Sequence, residues 1–385
     1  MGVFYKKKNK KINMGKIKIL MVLGNTRMGG AQAFILNVLR NIDRSRFQID
    51  LAINFYAESD GIEDECRALG CNFFIVPYFK VYNYISYCKA WRDLLSKYHY
   101  DIVYAHSTNS ASIFLKIAKE YGCKTIAHSH STGYRGGMLE RTAKKFFASG
   151  VNKVADYWCA CSDKAAEHLY GPHYDKYEHY YSIPNAIDSE KYLFNKDIRK
   201  KIREQIGVKD GEFLCGHLGT FSAPKNHKFL IEVFAEIVKQ KPESKLVCCG
   251  AGALMQVVKE QVKELGILDK IIFPGVVNNA NEFLMAMDSF IFPSTFEGFG
   301  IAILEAEAAG LPIVMSDVVP SDVDLTSLVH RMSLSDSPKL WADKVLSINV
   351  SDRESYNSAI SETKYNIKET VKEFEKMYIS LVNNK

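Results

Sequence analysis

Two glutamates eight positions apart, Glu297 and Glu305, bracket a run of small residues within Phe-Pro-Ser-Thr-Phe-Glu-Gly-Phe-Gly-Ile-Ala-Ile-Leu-Glu, Phe292 to Glu305. The pattern predicts a strand ending at Pro293, a loop carrying Glu297, Gly298, Phe299 and Gly300, and a helix that begins near Gly300 with Ile301 and carries Glu305. Loop glycines let a backbone approach a ligand closely, and the free N–H groups of a helix start can hold a phosphate. A rise of ~1.5 Å per helical residue puts the two carboxylates roughly 10 Å apart. That is the reach from a sugar, across a diphosphate, to a ribose. Two isolated glutamates would read as a loop charge and an amphipathic-helix residue. The proline, the glycines and the following Ala309-Gly310-Leu311-Pro312 favour binding.

Other constellations fall at the same kind of place, between a strand and the helix after it. Gly219-Thr220-Phe221-Ser222-Ala223-Pro224-Lys225-Asn226 follows an apolar strand pattern. A lysine there can neutralise a diphosphate and stabilise a leaving group as charge develops; alone it would be a surface lysine. Met28-Gly29-Gly30-Ala31-Gln32 follows the first strand and falls short of a full dinucleotide fingerprint, so by itself it is a strand-to-helix turn. His106 ends one predicted strand, and His128-Ser129-His130 ends the next. A metal at His128 and His130 would need further ligands at suitable spacing, and the sequence offers none; a lone histidine is most often a hydrogen-bonded structural one. Gly250-Ala251-Gly252 and Pro274-Gly275-Val276-Val277 are two more loops at predicted strand ends.

The elements that must position these residues alternate throughout. Strands are predicted at 17–23, 47–53, 73–76, 102–105, 124–127 and 157–161, with helices at 31–41, 61–69, 84–97, 111–121, 139–155 and 163–170. After an extended crossover at 182–188 the series restarts, with strands at 213–218, 245–249, 271–273, 289–292 and 313–315 and helices at 226–239, 254–265, 279–286 and 300–309. Residues 316–338 have no clear pattern, and helices at 340–348 and 367–382 close the chain. Alternating strands and helices call for parallel, doubly wound sheets. Two such halves would face each other across a cleft lined by strand carboxyl ends.

Composition sets the setting. With 385 residues, 47% hydrophobic and 24% charged, the chain can bury a core in each of two or three domains. Its net charge of +6 is a property of the start: Lys6, Lys7, Lys8, Lys10, Lys11, Lys16 and Lys18 outnumber that excess by one. The remainder is nearly neutral, which argues against nucleic acid as a partner. The tail reads as a solvated start, or as a lysine cluster that attracts acidic headgroups; Met14 is a second candidate start. Nine scattered cysteines form no zinc knuckles and suit a reduced, cytoplasmic setting. No apolar run reaches the ~20 residues of a membrane span. The 139–155 segment sets Arg141, Lys144, Lys145 and Lys153 beside Phe146, Phe147 and Val151. It reads equally as a helix on an acidic membrane surface or as one packed on a sheet.

The Glu297–Glu305 segment resembles the signature of family-4 retaining glycosyltransferases: Pro-Ser-x-x-Glu-Gly-Phe-Gly, with the second glutamate eight positions on, ending Ala-Gly-Leu-Pro-x-Val. The resemblance runs from Ile17 to about Pro320 and is nearest to bacterial capsular and exopolysaccharide enzymes. It implies a GT-B fold, two Rossmann-like domains facing a cleft, with limits at 1–15 for the tail, 16–184 for the acceptor side, 185–362 for the donor side and 363–385 for a helix returning to the first domain. It implies a nucleotide-diphosphate sugar as donor, UDP-linked by family frequency, and no metal or other cofactor. The acceptor would be a sugar hydroxyl, often on a lipid-linked oligosaccharide, with peripheral contact to an acidic membrane. By resemblance Glu297, His128 and Lys225 are catalytic, and His106 and His130 lie on the acceptor side. Gly29, Gly30, Gly219, Thr220, Asn226, Gly250, Val276, Val277, Gly298, Phe299, Gly300, Ile301 and Glu305 would bind the donor. Where this sequence has Thr220 the family usually has an arginine; Arg27 is a candidate replacement cation. Two rival readings are a non-hydrolysing sugar-nucleotide epimerase and a catalytically weak donor-binding or scaffold subunit.

Overall fold

Five of the six residues of Ile17–Val22 are apolar and buried, with only Lys18 exposed. Such a strand must lie at the centre of a sheet covered on both faces. In the computed structural model, which describes residues 15–58, 61–130, 148 and 150–383, it does. β1 (Ile17–Val22), β2 (Phe47–Ile53), β3 (Phe73–Ile75), β4 (Ile102–Ala105), β5 (Lys124–Ser129), β6 (Tyr157–Ala160) and β7 (Tyr180–Ser182) form one parallel sheet in the order β3-β2-β1-β4-β5-β6-β7. β8 (Phe213–Leu218), β9 (Ser244–Cys249), β10 (Ile271–Gly275), β11 (Ser289–Phe292), β12 (Ile313–Ser316) and β13 (Val329–Met332) form a second, in the order β10-β9-β8-β11-β12-β13.

In both sheets the strand order reverses beside the first strand, at β1/β4 and at β8/β11. The loops leaving those neighbours diverge, and ligands of doubly wound sheets bind in the crevice they leave. Register fixes what meets there. Ala105 of β4 pairs with Ala127 of β5, which sets His106 beside His128 and His130. Ser289 of β11 pairs with Cys215 of β8, which sets the loop after Phe292 beside the loop after Leu218.

The last helix, Ile367–Asn383, packs on the first sheet rather than the second: Phe374 lies 5.9 Å from Phe34 and Tyr378 lies 5.8 Å from Phe47, ring to ring. The two chain crossings between the sheets are stitched together, with Ile187 N–H donating to Tyr365 O (2.9 Å) and Ile367 N–H to Ile187 O (2.8 Å). All nine cysteines are buried free thiols. Among the described residues no helix is long and apolar enough to cross a membrane.

Two strands escape the periodicity. β7, Tyr-Tyr-Ser, lies inside what reads as the approach to the crossover, and β13, Val-His-Arg-Met, lies in the patternless 316–338 stretch. Both are edge strands, so neither needs the continuous apolar run of a central strand. Helices at Lys196–Gln205 and Tyr356–Ser361 also go unpredicted. The first is too polar, with seven charged residues of ten, to show a clear apolar face. Of the helix expected at 139–155, Val151–Val154 is helical; Arg141, Lys144, Lys145, Phe146 and Phe147 lie outside the described residues, as does the tail to Met14.

Candidate functional site

On the second sheet, the loops after β8 and β11 meet through an ion pair. Lys225 Nζ donates to Glu297 Oε1 at 2.7 Å, with 20% of the lysine side chain and 12% of the glutamate side chain exposed. The ammonium also sits 4.5 Å above the Phe292 ring. Thr295 N–H donates to Pro224 O (2.8 Å), which fastens the two loops back to back. The turn that delivers Lys225 ends at Asn226, the only non-glycine residue at positive φ (52°) among the described residues, a conformation that asparagine tolerates better than most. The cation and the carboxylate are therefore one preformed unit. An anion arriving at this pair would compete with Glu297 for Lys225 and free the carboxylate to accept other hydrogen bonds.

Glu305 lies one turn into the Ile301–Ala308 helix, whose N-cap is Gly300 at φ 99°. Burial raises its carboxyl to about 7, opposed by a hydrogen bond that Tyr192 Oη donates to Oε1 (2.8 Å). Tyr192 stands 113 residues away, in the turn Ser189–Tyr192, and no sequence signal links the two. Glu307, two positions on, points elsewhere: its Oε1 accepts from the backbone of Leu325 and Thr326 and from Thr326 Oγ1 at 2.8–3.1 Å, holding the loop before β13.

Facing these groups, the first sheet presents three histidines. Tyr104 Oη bonds His128 Nδ1 at 2.8 Å, His106 Nδ1 bonds His130 Nε2 at 2.8 Å, and the His128 and His130 rings stack at 3.9 Å. Burial holds all three well on the neutral side: His106 and His128 fall well below the usual range, and His130 to about 4. The neighbouring imidazoles add to the fall at His106 and His128; Asn185 opposes it at His130. His106 Nε2 is buried without a hydrogen-bond partner. Sequence spacing offers only a pair of histidines to a metal. The fold adds the third, with one nitrogen of each ring within 4.8 Å of the others. As it stands the His106–His130 contact is a hydrogen bond between the two rings, which an ion would have to break.

The halves approach each other at their predicted loops. A Cβ built on Gly298 would lie 3.6 Å from His130 O, and one on Gly30 would lie 3.5 Å from the Ile301 side chain. Gly29 N-caps the Gly30–Asn41 helix in extended conformation. Gly219 and Gly250 are pressed together: a Cβ on Gly250, at φ 140°, would lie 2.0 Å from Gly219 O, so a side chain there collides with backbone. Val276 is exposed and Val277 half-buried beyond β10. Thr220 is exposed and bonds Ser222 Oγ at 3.2 Å. Arg27 is exposed in the loop after β1, its backbone held by Asn25 Oδ1. Phe299 is buried, with its ring 5.7 Å from Tyr365. Unforeseen is a second histidine pair beneath the Lys225 loop. His217, on β8, bonds Ile291 O at 2.9 Å and packs edge-on against His227 at 4.7 Å. Burial and the nearby Lys225 hold His227 at about 4. A histidine inside an apolar strand, two residues before a loop glycine, is the one trace it leaves in the sequence.

The model for Glycosyltransferase Family 4 matches residues 28–191, and that for Glycosyl transferases group 1 matches residues 198–363. The putative glycosyltransferase EpsF of Bacillus subtilis is 27% identical over 339 residues, covering 87% of this chain and 88% of its own. The UDP-Gal:alpha-D-GlcNAc-diphosphoundecaprenol alpha-1,3-galactosyltransferase of Escherichia coli is 26% identical, covering 96% and 98%. Among solved structures, Anabaena HepE in complex with UDP and glucose superposes with a TM-score of 0.76 at 18% identity, over 94% of this chain and all of that one. A glycosyltransferase from Rickettsia africae gives 0.77 at 16% identity, over 97% and 100%.

Proposed function

This chain belongs to the family-4 glycosyltransferases and has their GT-B fold, and we propose that it moves a sugar, with retention, from a UDP-linked donor to a hydroxyl of a lipid-linked saccharide in polysaccharide synthesis. The observation that carries the reading is the Lys225–Glu297 pair at the β8/β11 switch point, opposite the histidine cluster. In this proposal residues 16–184 hold the acceptor and residues 185–362 the donor, with 363–385 returning to the first half.

Lys225 and the free N–H groups at the start of the Ile301–Ala308 helix take the diphosphate. Glu297, released from the lysine, accepts from sugar hydroxyls together with His128, whose ring Tyr104 orients. Glu305 takes the ribose. The acceptor oxygen bonds to the anomeric carbon on the face from which the phosphate oxygen departs, and its proton passes to that phosphate oxygen. Arg27 replaces the cation that Thr220 lacks. The neutral, buried histidines suit contact with uncharged hydroxyls. The E. coli relative, named for a UDP-galactose donor and a diphosphoundecaprenol acceptor, and the HepE structure holding UDP support the choice of donor and acceptor class. No metal takes part in this scheme, so EDTA should leave the rate unchanged.

Glu297→Gln tests it. With a donor found by thermal shift across nucleotide sugars, the variant should still be stabilised by the donor yet transfer at least about a hundredfold more slowly, the scale of a lost transition-state contact. Full transfer by the variant would overturn the assignment. Conversion of the donor without acceptor would point instead to an epimerase.

A further inference from the structure

Beyond β3 the chain builds a feature that the transfer site does not use. Tyr78, Val81, Tyr82 and Ile85 are 45%, 63%, 83% and 84% exposed, with Ile75 and Tyr84 exposed beside them. Single exposed apolar residues are ordinary, but six of them within the eleven residues from the end of β3 to the start of the Tyr84–Lys97 helix are not. The turn is held in shape. Asn54 Nδ2 donates to Val76 O (3.2 Å) and Pro77 O (3.1 Å). Asn83 accepts from Lys80 N–H (2.8 Å) and donates to Tyr78 O (2.9 Å). Phe79 turns inward onto buried Tyr87, ring to ring at 5.1 Å. These bonds hold the other side chains out in solvent on a convex knob.

Its chemistry fits one kind of partner. Between Phe73 and Arg92 the chain carries Lys80, Lys89 and Arg92 and no acid. Lys89 pairs with Asp93 and Arg92 with Glu120, while Lys80 lies over the Tyr82 ring at 5.7 Å and makes no ion pair among the described residues. Tyrosines with an apolar ring and a polar tip, aliphatic side chains between them and a cation are the composition of the bilayer interface. The knob stands at the carboxyl edge of the first sheet, the edge that bears His106. At ~4.8 Å per strand, β3 lies ~14 Å from β4.

We propose that the Tyr78–Ile85 knob is a membrane-docking element: Tyr78, Val81, Tyr82 and Ile85 enter the headgroup–acyl boundary of an anionic bilayer and Lys80 meets lipid phosphate. It rests on the lipid-linked acceptor reading, since docking there would turn the cleft mouth towards the lipid surface.

The test uses the full chain and Tyr82→Ser/Ile85→Ser, neither residue belonging to the transfer site. Sedimentation with phosphatidylcholine vesicles containing phosphatidylglycerol should show binding by the wild type and a loss of at least about tenfold in the variant, with melting temperature and turnover on a soluble acceptor unchanged. Wild-type protein that does not bind, or a variant that binds equally well, overturns the proposal. So does a wild-type dimer in light scattering that the variant abolishes, which would make the knob a contact between two copies. Turnover on the soluble acceptor separates the two readings, because it fails only if the transferase assignment itself is wrong.

Discussion

Two of the buried polar clusters in this molecule differ in how completely they are satisfied. Behind the second sheet, Arg353 spends its guanidinium on the carbonyls of Leu284, Met285, Met287 and Ala309. Arg199 and Arg203 bind the same helix end and share Asp288, with contacts to Ala286 O at 2.8 and 3.0 Å. The orphan carbonyls closing the Ala280–Ala286 helix thus find donors, and cations at that end suit the helix dipole. In the cleft the pattern is the reverse. His106 Nε2 is unpartnered, Glu305 keeps one oxygen outside the Tyr192 bond, and Lys225 and Glu297 neutralise only each other. Saturated networks define architecture, whereas unsatisfied groups at strand carboxyl ends are available to a ligand.

The widest separation between the clusters should come from one truncation in each. Lys225→Ala should lower the transfer rate about 100- to 1000-fold, the usual scale for a lost transition-state donor or cation, with a melting temperature close to wild type. Arg353→Ala should do the opposite. Several carbonyls lose their donor at about 1–3 kcal/mol each before water re-enters. A net loss of about 3 kcal/mol lowers melting by roughly 6–12 °C at ~2–4 °C per kcal/mol, while turnover per folded molecule holds. Calorimetry and initial rates read both, and a rate collapse in the arginine variant would erase the distinction.

The same contrast explains what the sequence could show. The Glu297–Glu305 segment was legible because its loop, helix start and both carboxylates are contiguous, and the strand before it, Ser289–Phe292, is almost wholly apolar. The His106–His130 bond joins residues 24 apart and becomes visible only through the parallel register of β4 on β5. Tyr192 meets Glu305 across 113 residues, and Arg353 reaches Leu284 across 69. Such partners are chosen by topology, and no local periodicity encodes them. The His217–His227 pair stayed hidden because a histidine in an apolar strand looks like core packing.

Acid should distinguish the clusters next. His106, His128 and His130 have lowered pKa values, so between pH 6.5 and about 4 the unfolded chain binds more protons than the folded one, and stability falls as pH falls. His217, His227 and His330 act in the same sense. Glu305 and Glu307, raised to about 7, act oppositely: the folded state binds more protons between about pH 4.5 and 7 and gains stability as pH falls through that range. Six histidines against two glutamates leave a net acid loss. His130→Gln should remove about 1–2 kcal/mol of the drop between pH 7 and pH 5, from a depressed imidazole near 4 against an unfolded value near 6.5. An unaltered melting profile across that range would mean that His130 protonates freely in the folded protein.

The smallest effect should come from the one hydroxyl that tethers a site carboxylate. Tyr192→Phe removes the hydrogen bond to Glu305 Oε1, and that bond opposes the rise caused by burial. Without it Glu305 is protonated more fully at pH 7 and accepts less well from a ribose. Losing one such bond costs about 0.5–1.5 kcal/mol, so the donor KM should rise about 2- to 10-fold with kcat within twofold. The defect should shrink at pH 8.5, where the carboxyl ionises with or without the tyrosine. A purely structural tyrosine would leave a defect that alkali does not relieve, and a fall in kcat at constant KM would place Tyr192 nearer the reacting atoms than Glu305 allows.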